Sequence, residues 1–502
     1  MRHVALLCCS IVIAVLAGCK MGADFKRPDE TLPEQFASNV EATPGAPTAS
    51  SASPPVSFWW QEFHDAKLDE LESRAAAGNL DLKAAYLRIV EARMQVQAAR
   101  AQGLPSLNAS ASYNREQLGL AGILKSQHVG ASGPLPPAEQ GLISSLEKPT
   151  NLYQLGFDAS WELDLFGKVR RSVEAADAQR QGAEESRNDL LVSLQAEIAQ
   201  DYLQLRAAQL LSKVTAEQVS AQKDVVELTE SRHANGLASE ADLDSAKGQY
   251  ASLKSQLPGY EATLGASRHA LAVLVGETPE TFDANFGDHG DLPPMPASVP
   301  VGIPSQLARR RPDIRKSEAA LHAATAEEGV AVASLFPDVS LSGTLGLRNL
   351  TPGYLFDWDS HFYTFGPTVS IPIFHAGALV ANVKISKAQA AEAALAYRKS
   401  VLGALQEVED GLDNLAHDAQ RTQALGESVA ADQRALDVDV DAYKHGLVTY
   451  IIVLTAQVQA VQAQQQLAQA RLTQGTDLVK LYKALGGGWQ EPSAGGSAGG
   501  EP

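Results

Sequence analysis

Few residues in this 502-residue chain have the types and spacing that chemistry requires. Ser220 and Lys223 match the Ser-x-x-Lys pattern of a serine nucleophile, but they lie within a predicted long helix without any supporting motif. The eleven histidines show no metal-ligand spacing, and no glycine-rich loop that could hold a phosphate is present. We therefore expect no enzyme, no metal site and no cofactor.

The composition narrows the class of protein further. The net charge of −18 argues against a nucleic-acid partner, because phosphate binding requires a basic surface. Hydrophobic residues make up 45% of the chain but aromatic residues only 6%, and Ala and Leu supply much of the apolar share. This balance favours long, closely packed helices over a bulky globular core.

The only chemistry that the N-terminus predicts is lipidation. Residues 1–18 read as a secretory signal, and their end, Leu-Ala-Gly before Cys19, resembles the bacterial lipoprotein box. That resemblance implies cleavage before Cys19 and a covalent lipid on it; the alternative is ordinary signal cleavage nearby, with Cys19 incidental. Lys20 and Met21 follow, and in this class they disfavour retention at the inner membrane. We expect a lipid-anchored protein of the outer membrane.

The most informative element is a strand over residues 157–166. Its sequence, Phe-Asp-Ala-Ser-Trp-Glu-Leu-Asp-Leu-Phe, alternates strictly between apolar and polar residues, and most of the polar ones are acidic. An acidic face opposite an apolar face suits a strand that divides lipid from a water-filled lumen. A tilted strand needs about 9–11 residues to cross a bilayer, which this segment provides.

The rest of the chain positions this strand through an internal repeat. Further strands are predicted over residues 107–113, 339–347 and 367–374, and each pair of strands leads into a long, nearly proline-free helical hairpin. Corresponding prolines lie at Pro105 and Pro337, 337 − 105 = 232 residues apart. The hairpins break at Gly236 and Gly446, which are 446 − 236 = 210 residues apart. A duplicated unit with a longer first strand loop explains these offsets.

The repeat defines the predicted domains. They are a signal peptide (1–18), an acylated N-terminus and linker (19–57), periplasmic helices (58–103), strands 1 and 2 with a long extracellular loop (104–167), the first helical hairpin (168–275), a connector and helix (276–335), strands 3 and 4 (336–375), the second helical hairpin (376–485) and a flexible tail (486–502).

Four strands predict an assembly. They cannot close a barrel, and an open sheet edge cannot face lipid. Two copies would give eight strands with little lumen, whereas three copies give twelve strands with a pore. The sequence therefore predicts a homotrimer.

Several motifs together resemble the outer membrane factor family, the TolC-type exit ducts of efflux pumps, in the lipoprotein branch of OprM and NodT-like channels. They are the lipobox, Phe58-Trp59-Trp60, the Trp161–Gly167 segment, Arg310-Arg311-Pro312-Asp313-Ile314, Phe336-Pro337 and the paired Gly-Leu turns. The resemblance runs from Cys19 to about Leu485. It implies a mixed α and β fold: a trimeric outer-membrane β-barrel with four strands per chain, continued by a long periplasmic α-helical barrel. It also implies a passive exit duct for small molecules, with a periplasmic membrane-fusion adaptor and an inner-membrane pump of the resistance-nodulation-division type as partners.

The resemblance also assigns candidate sites. It places the two hairpin turns at the periplasmic tips, where the adaptor docks; the alternative is a plain helix-ending turn. These turns are Gly236, Leu237, Ala238 and Ser239, and Gly446, Leu447, Val448 and Thr449. Before the second turn, acidic residues crowd into one turn-rich stretch, with Asp437 and Asp441 on one helix face and Asp432 nearby. Three copies would form acidic rings that gate the pore and favour cations; the alternative is a solvated helix face.

Two other functions remain open from sequence. A type I protein-secretion duct would have the same architecture, and only the neighbouring genes would distinguish it. A lipid-anchored periplasmic scaffold of coiled coils is a different class of protein, against which the acidic alternation of residues 157–166 argues.

Overall fold

A computed structural model describes residues 20–29, 32–37, 48–50, 56–117, 149–282, 286 and 290–489. Cys19, the predicted signal peptide, most of the predicted extracellular loop and most of the predicted tail lie outside these residues. The secondary-structure elements in chain order are β1 (Thr48–Ser50), α1 (Ala66–Gly78), α2 (Leu80–Ala101), β2 (Ser106–Glu116), β3 (Thr150–Leu163), α3 (Lys168–Ala234), α4 (Glu240–Val275), β4 (Ser298–Pro300), α5 (Pro304–Arg310), α6 (Pro312–Ala333), β5 (Asp338–Asn349), β6 (His361–Ser370), α7 (Ala378–Lys444) and α8 (Tyr450–Ala484), with three short 3₁₀ turns besides.

The described residues fall into two compact units. The first comprises the described parts of residues 1–26, 92–179 and 322–391, and it contains a four-stranded sheet. The second comprises the described parts of residues 27–91, 180–321 and 392–502, and it is mostly helical, with β1 and β4 paired in parallel. Within the part of the chain that the structure describes, no helix combines the length and the apolarity needed to cross a membrane.

The four-stranded sheet is antiparallel throughout, in the order β2-β3-β5-β6. Its register places apolar residues opposite apolar residues: Phe157 lies opposite Ala109 on one side and Leu345 on the other. Asp158 likewise lies between Asn108 and Thr344. Because alternate side chains point to opposite faces, this register gives the sheet one apolar and one polar face.

Two strands, β3 and β6, begin and end at other residues than the sequence predicts. Strand β3 begins earlier and ends at Leu163, where Asp164 turns to cap α3 by accepting hydrogen bonds from the amides of Val169 (3.2 Å) and Arg170 (3.0 Å). Strand β6 covers His361–Ser370 rather than residues 367–374. Ser370 pairs with Asp338, the first residue of β5, so the residues that follow have no partner strand. Strand ends depend on the partner strand, which local alternation does not encode.

Two helical hairpins carry most of the remaining chain. Helices α3 and α7 each contain 67 residues, which corresponds to about 100 Å of helix each. The first hairpin turns at Gly236, with φ of 73°, and Ser239 and Asp242 form a capping box that starts α4. The second turns at Gly446, with φ of 77°. Helix α7 continues to Lys444, so the acidic stretch predicted as turn-rich is helical.

The helical unit has one large core and one small core. In the large core, Trp59 stacks on Tyr482 with ring centroids 5.3 Å apart, and Phe63 packs edge-on against Trp59. The small core lies beside the hairpin turns and consists of Val225, Ala246, Tyr443, Tyr450 and Val453. The small core joins the ends of the two hairpins, because Val225 and Ala246 of the first hairpin pack with residues of the second.

Candidate functional site

The apolar face of the sheet is exposed in a single chain. Phe157 is 55% exposed, Tyr363 74% and Phe365 73%, although large apolar side chains on a soluble protein are normally covered. The polar face is connected by hydrogen bonds: Asp158 accepts from the hydroxyls of Ser110 and Thr344, both at 3.0 Å. A sheet with these two faces can separate lipid from water.

The sheet has two unpaired edges within the described residues, β2 and β6. These strands have 11 and 10 residues, so each presents a long row of backbone groups without a partner strand in this chain. In a bilayer such groups must be paired, because lipid offers no hydrogen bonds. Further strands from other copies of the chain would satisfy both edges at once.

The hairpin turns expose apolar side chains at their apices. Leu237 is 68% exposed and Leu447 is 78% exposed. Apart from Gly236 and its two chain neighbours, no atom of the described residues lies within 4 Å of the position that a Cβ on Gly236 would occupy, so the first turn is open to approach. The first turn is fixed by its capping box, whereas Thr449 makes no side-chain cap bond to α8. The structure therefore places all eight predicted turn residues between paired helices, with both leucines accessible.

Two residues that the sequence analysis missed join these turns. Arg232, at the end of α3, donates a hydrogen bond from Nη1 to the carbonyl of Tyr443 at the end of α7. The Tyr443 hydroxyl lies 3.2 Å from the hydroxyl of Thr229, and both groups are buried. Below them, Gln222 donates to the carbonyl of Ala246 and to the Tyr450 hydroxyl. The second hairpin is thus bonded to the first along about three turns of α3, from Gln222 to Arg232.

The predicted gate aspartates are partly brought together. Asp437 and Asp441 line one groove of about 600 Å³, with Asp224 of α3 also in its wall. Asp432 does not line this groove and accepts a hydrogen bond from Ser428 on its own helix. Asp437 accepts one from Gln433 at 3.0 Å. The groove combines these carboxylates with apolar residues of α3, α7 and α8, so it can receive an amphipathic partner as well as a cation.

The described residues give no support to the other chemical candidates. Lys223 is paired with Glu227 on the same helix at 3.5 Å, and both side chains are mostly exposed. Among the residues that the structure describes, no group of three or more histidines, cysteines and carboxylates is arranged to hold a metal ion.

An amphipathic sheet and one long helical hairpin in each repeat are the features of an outer-membrane channel subunit, and comparison with known proteins identifies its family. The family model described as "Outer membrane efflux protein" matches residues 71–277 and 303–487. The chain belongs to the outer membrane efflux protein family.

Individual relatives agree with this family. The chain is 31% identical to the probable efflux pump outer membrane protein TtgC of Pseudomonas putida over 97% of this chain and 96% of the relative. It is 29% identical to nodulation protein T of Rhizobium leguminosarum bv. viciae over 98% and 95%. Among solved structures it resembles the outer-membrane channel OprN, with a TM-score of 0.83 and 31% identity over 94% of this chain and 100% of that one.

These findings confirm the predicted resemblance to the outer membrane factor family, the mixed α and β fold class, and the function as an outer-membrane efflux channel. They also confirm the predicted location in the outer membrane. The roles of the turns, the aspartates and Cys19 stay predictions.

Proposed function

We propose that this chain is a passive exit duct of a tripartite efflux pump and works as a homotrimer. The four-stranded sheet carries this proposal, because it has an exposed apolar face, a polar face and two unpaired edges. Three copies give a twelve-stranded barrel in which every edge is paired and the polar faces line a pore. The duct does no chemistry of its own, so a pump in the inner membrane supplies the energy.

The hairpin turns are the proposed docking site for the adaptor. In this proposal the exposed leucines of the two turns and the groove beside Asp437 receive a helical hairpin of a periplasmic membrane-fusion adaptor. An amphipathic helix lays its apolar side into such a groove and offers basic residues to the carboxylates. A resistance-nodulation-division pump completes the assembly. The efflux names of the relatives favour this pump over a type I secretion system.

The lipid anchor is part of the same proposal. Cys19 carries acyl chains that insert into the outer membrane, and the chain extends from there into the periplasm. Two residues after Cys19, the Met21 amide donates a hydrogen bond to the carbonyl of Phe166 within the sheet unit.

Single-channel recording tests the proposal. The full-length protein would be purified from membranes, its mass measured in detergent, and its current recorded in a planar bilayer. We expect stable trimers with discrete, cation-selective openings, either in the wild type or, when the resting state is sealed, in a variant that loosens the turns. Monomers, or trimers silent in both forms, would contradict the duct and favour the scaffold.

A further inference from the structure

The sheet unit contains a fully buried positive charge, the guanidinium of Arg171. Arg171, in the first turn of α3, has no solvent-exposed side-chain surface. A buried guanidinium is costly unless its donors are paired, and here each nitrogen has a partner. Three of the bonds reach the N-terminal segment: Nε to the Met21 carbonyl (2.9 Å), and Nη2 to the Gly22 carbonyl (3.1 Å) and Asp24 carboxylate (2.9 Å).

Two glycines create the space for these bonds. Gly22 has φ of 85°, and a Cβ there would lie 2.6 Å from the Cα of Gly329 in α6. A Cβ on Gly329 would lie 2.7 Å from Nε of Arg171. The segment, helix α6 and the arginine therefore meet only because both positions lack a side chain.

Glu174 connects the remaining contacts. It accepts from Arg171 at 2.9 Å, pairs with Lys20 at 2.5 Å, and lies 3.1 Å from Nε2 of His322. Burial opposes ionisation of this carboxyl, but the hydrogen bonds from Lys20, His322 and Arg171 outweigh it and lower its pKa to about 2. Phe25 stacks on the His322 ring with centroids 4.4 Å apart. Both ends of the segment are thereby held.

We propose that Arg171, Glu174, His322 and Gly329 form a socket for the chain's own residues 20–25, here called the strap. Two of the three strap acceptors for Arg171 are backbone carbonyls, so the socket recognises the path of the strap as much as its side chains. The socket fixes the chain directly after Cys19 and acts as the positioning site for the lipid anchor; this second statement rests on the proposed acylation of Cys19.

The socket determines where the lipid enters the membrane. The Met21 amide donates to the carbonyl of Phe166 at 3.2 Å, three residues beyond the end of β3. Two residues of extended chain span at most about 7 Å, so the sulfur of Cys19 stays close to the end of that strand. The anchor is then a fixed part of the sheet unit, and the acyl chains lie beside the strands that they accompany in the bilayer.

Limited proteolysis of the native, full-length trimer tests the socket. Trypsin can cut after Lys20 and Lys26, which releases the N-terminal peptide, and mass spectrometry measures both its release rate and its acyl groups. We expect the wild-type strap to be protected and the variants Arg171→Met and Gly329→Ala to release the peptide at least tenfold faster. Arg170→Met is the matched control, because the guanidinium of Arg170 bonds to Asp164 and not to the strap.

The outcomes separate the socket from the anchor. Equal release rates in wild type and variants would overturn the socket. If a helix variant fails to assemble, Gly22→Ala serves instead, because it changes only the strap. Peptide release from Gly22→Ala no faster than from wild type would also overturn the socket. A protected strap whose peptide carries no acyl mass would refute the anchor while leaving the socket standing. An acylated peptide that is released freely from the wild type would refute the socket and leave the anchor standing.

Discussion

The guanidinium of Arg232 lies 4.6 Å above the ring of Tyr443 and donates a hydrogen bond to the carbonyl of the same residue at 2.6 Å. Arg232 lies in the last turn of the first long helix and Tyr443 in the last turn of the second, so the Arg232 side chain joins the two hairpins of one chain. This pair opposes any separation of the two hairpins at their turns.

We expect Arg232→Met to favour the open channel. A cation–π contact and one charged hydrogen bond together contribute on the order of 2 kcal/mol, which corresponds to about a 30-fold shift of a closed–open equilibrium per chain. Single-channel recording should show a higher open probability. Lys223→Met removes a charge from the exposed surface of the same helix and serves as the control. Equal open probability in both variants would show that the pair does not restrain the gate.

The gate aspartates lead to a second prediction. Asp437→Asn with Asp441→Asn should leave the trimer intact but weaken block by divalent or trivalent cations, because both carboxylates line the same groove. Asp432→Asn removes one carboxylate that lies outside that groove and should leave the block as in wild type. Conductance titrated with the blocking cation measures the effect. An unchanged block in the double variant would reject these residues as the cation site.

The turn leucines lead to a third prediction. Leu237→Asp or Leu447→Asp places a charge where the proposed adaptor contact is apolar, so drug susceptibility of the cells should rise severalfold while the trimer stays intact. Asn235→Asp introduces the same charge beside Leu237 and keeps the leucine, so it is the matched control. Resistance at the wild-type level in both leucine variants would exclude docking at the turns.

The sequence predicted those features that depend on neighbouring residues. Strict alternation over residues 157–166 indicates the two faces of β3, and Gly236 and Gly446 indicate the breaks between the helices of each hairpin, because both are local conformational requirements. The two open sheet edges could be predicted by counting strands, because four strands cannot close a barrel and a bilayer requires every strand edge to be paired.

Features that depend on distant pairs were not predicted. Arg171 meets Met21 and Gly22 about 150 residues away, and Arg232 meets Tyr443 more than 200 residues away, without any local pattern at either end. The one local sign is Gly329, a glycine inside a helix, where a glycine without a packing reason is destabilising. The predicted end of β6 was wrong for a related reason: the partner strand β5, and not the alternation within β6, sets where β6 ends.

The last prediction concerns stability and pH, and it starts from Asp201 of α3. Burial, with a smaller contribution from Glu197 one turn away, raises the pKa of this carboxyl to about 6. Between its ordinary pKa and this value the folded chain binds more protons than the unfolded chain, so stability falls as pH rises through that window. Above pH 6 the folded chain carries the full cost of the buried charge.

Asp201→Asn removes that charge, and we therefore expect it to stabilise the protein at pH 7.5 by on the order of 2 kcal/mol per chain and to have little effect at pH 4. The thermal midpoint of the helical circular dichroism signal, measured at both pH values, checks this difference. Asp244→Asn on the exposed surface of α4 is the control and should not reproduce it. A gain of equal size at both pH values would mean that the asparagine improves local packing or hydrogen bonding, because relief of a buried charge appears only where the carboxyl is ionised.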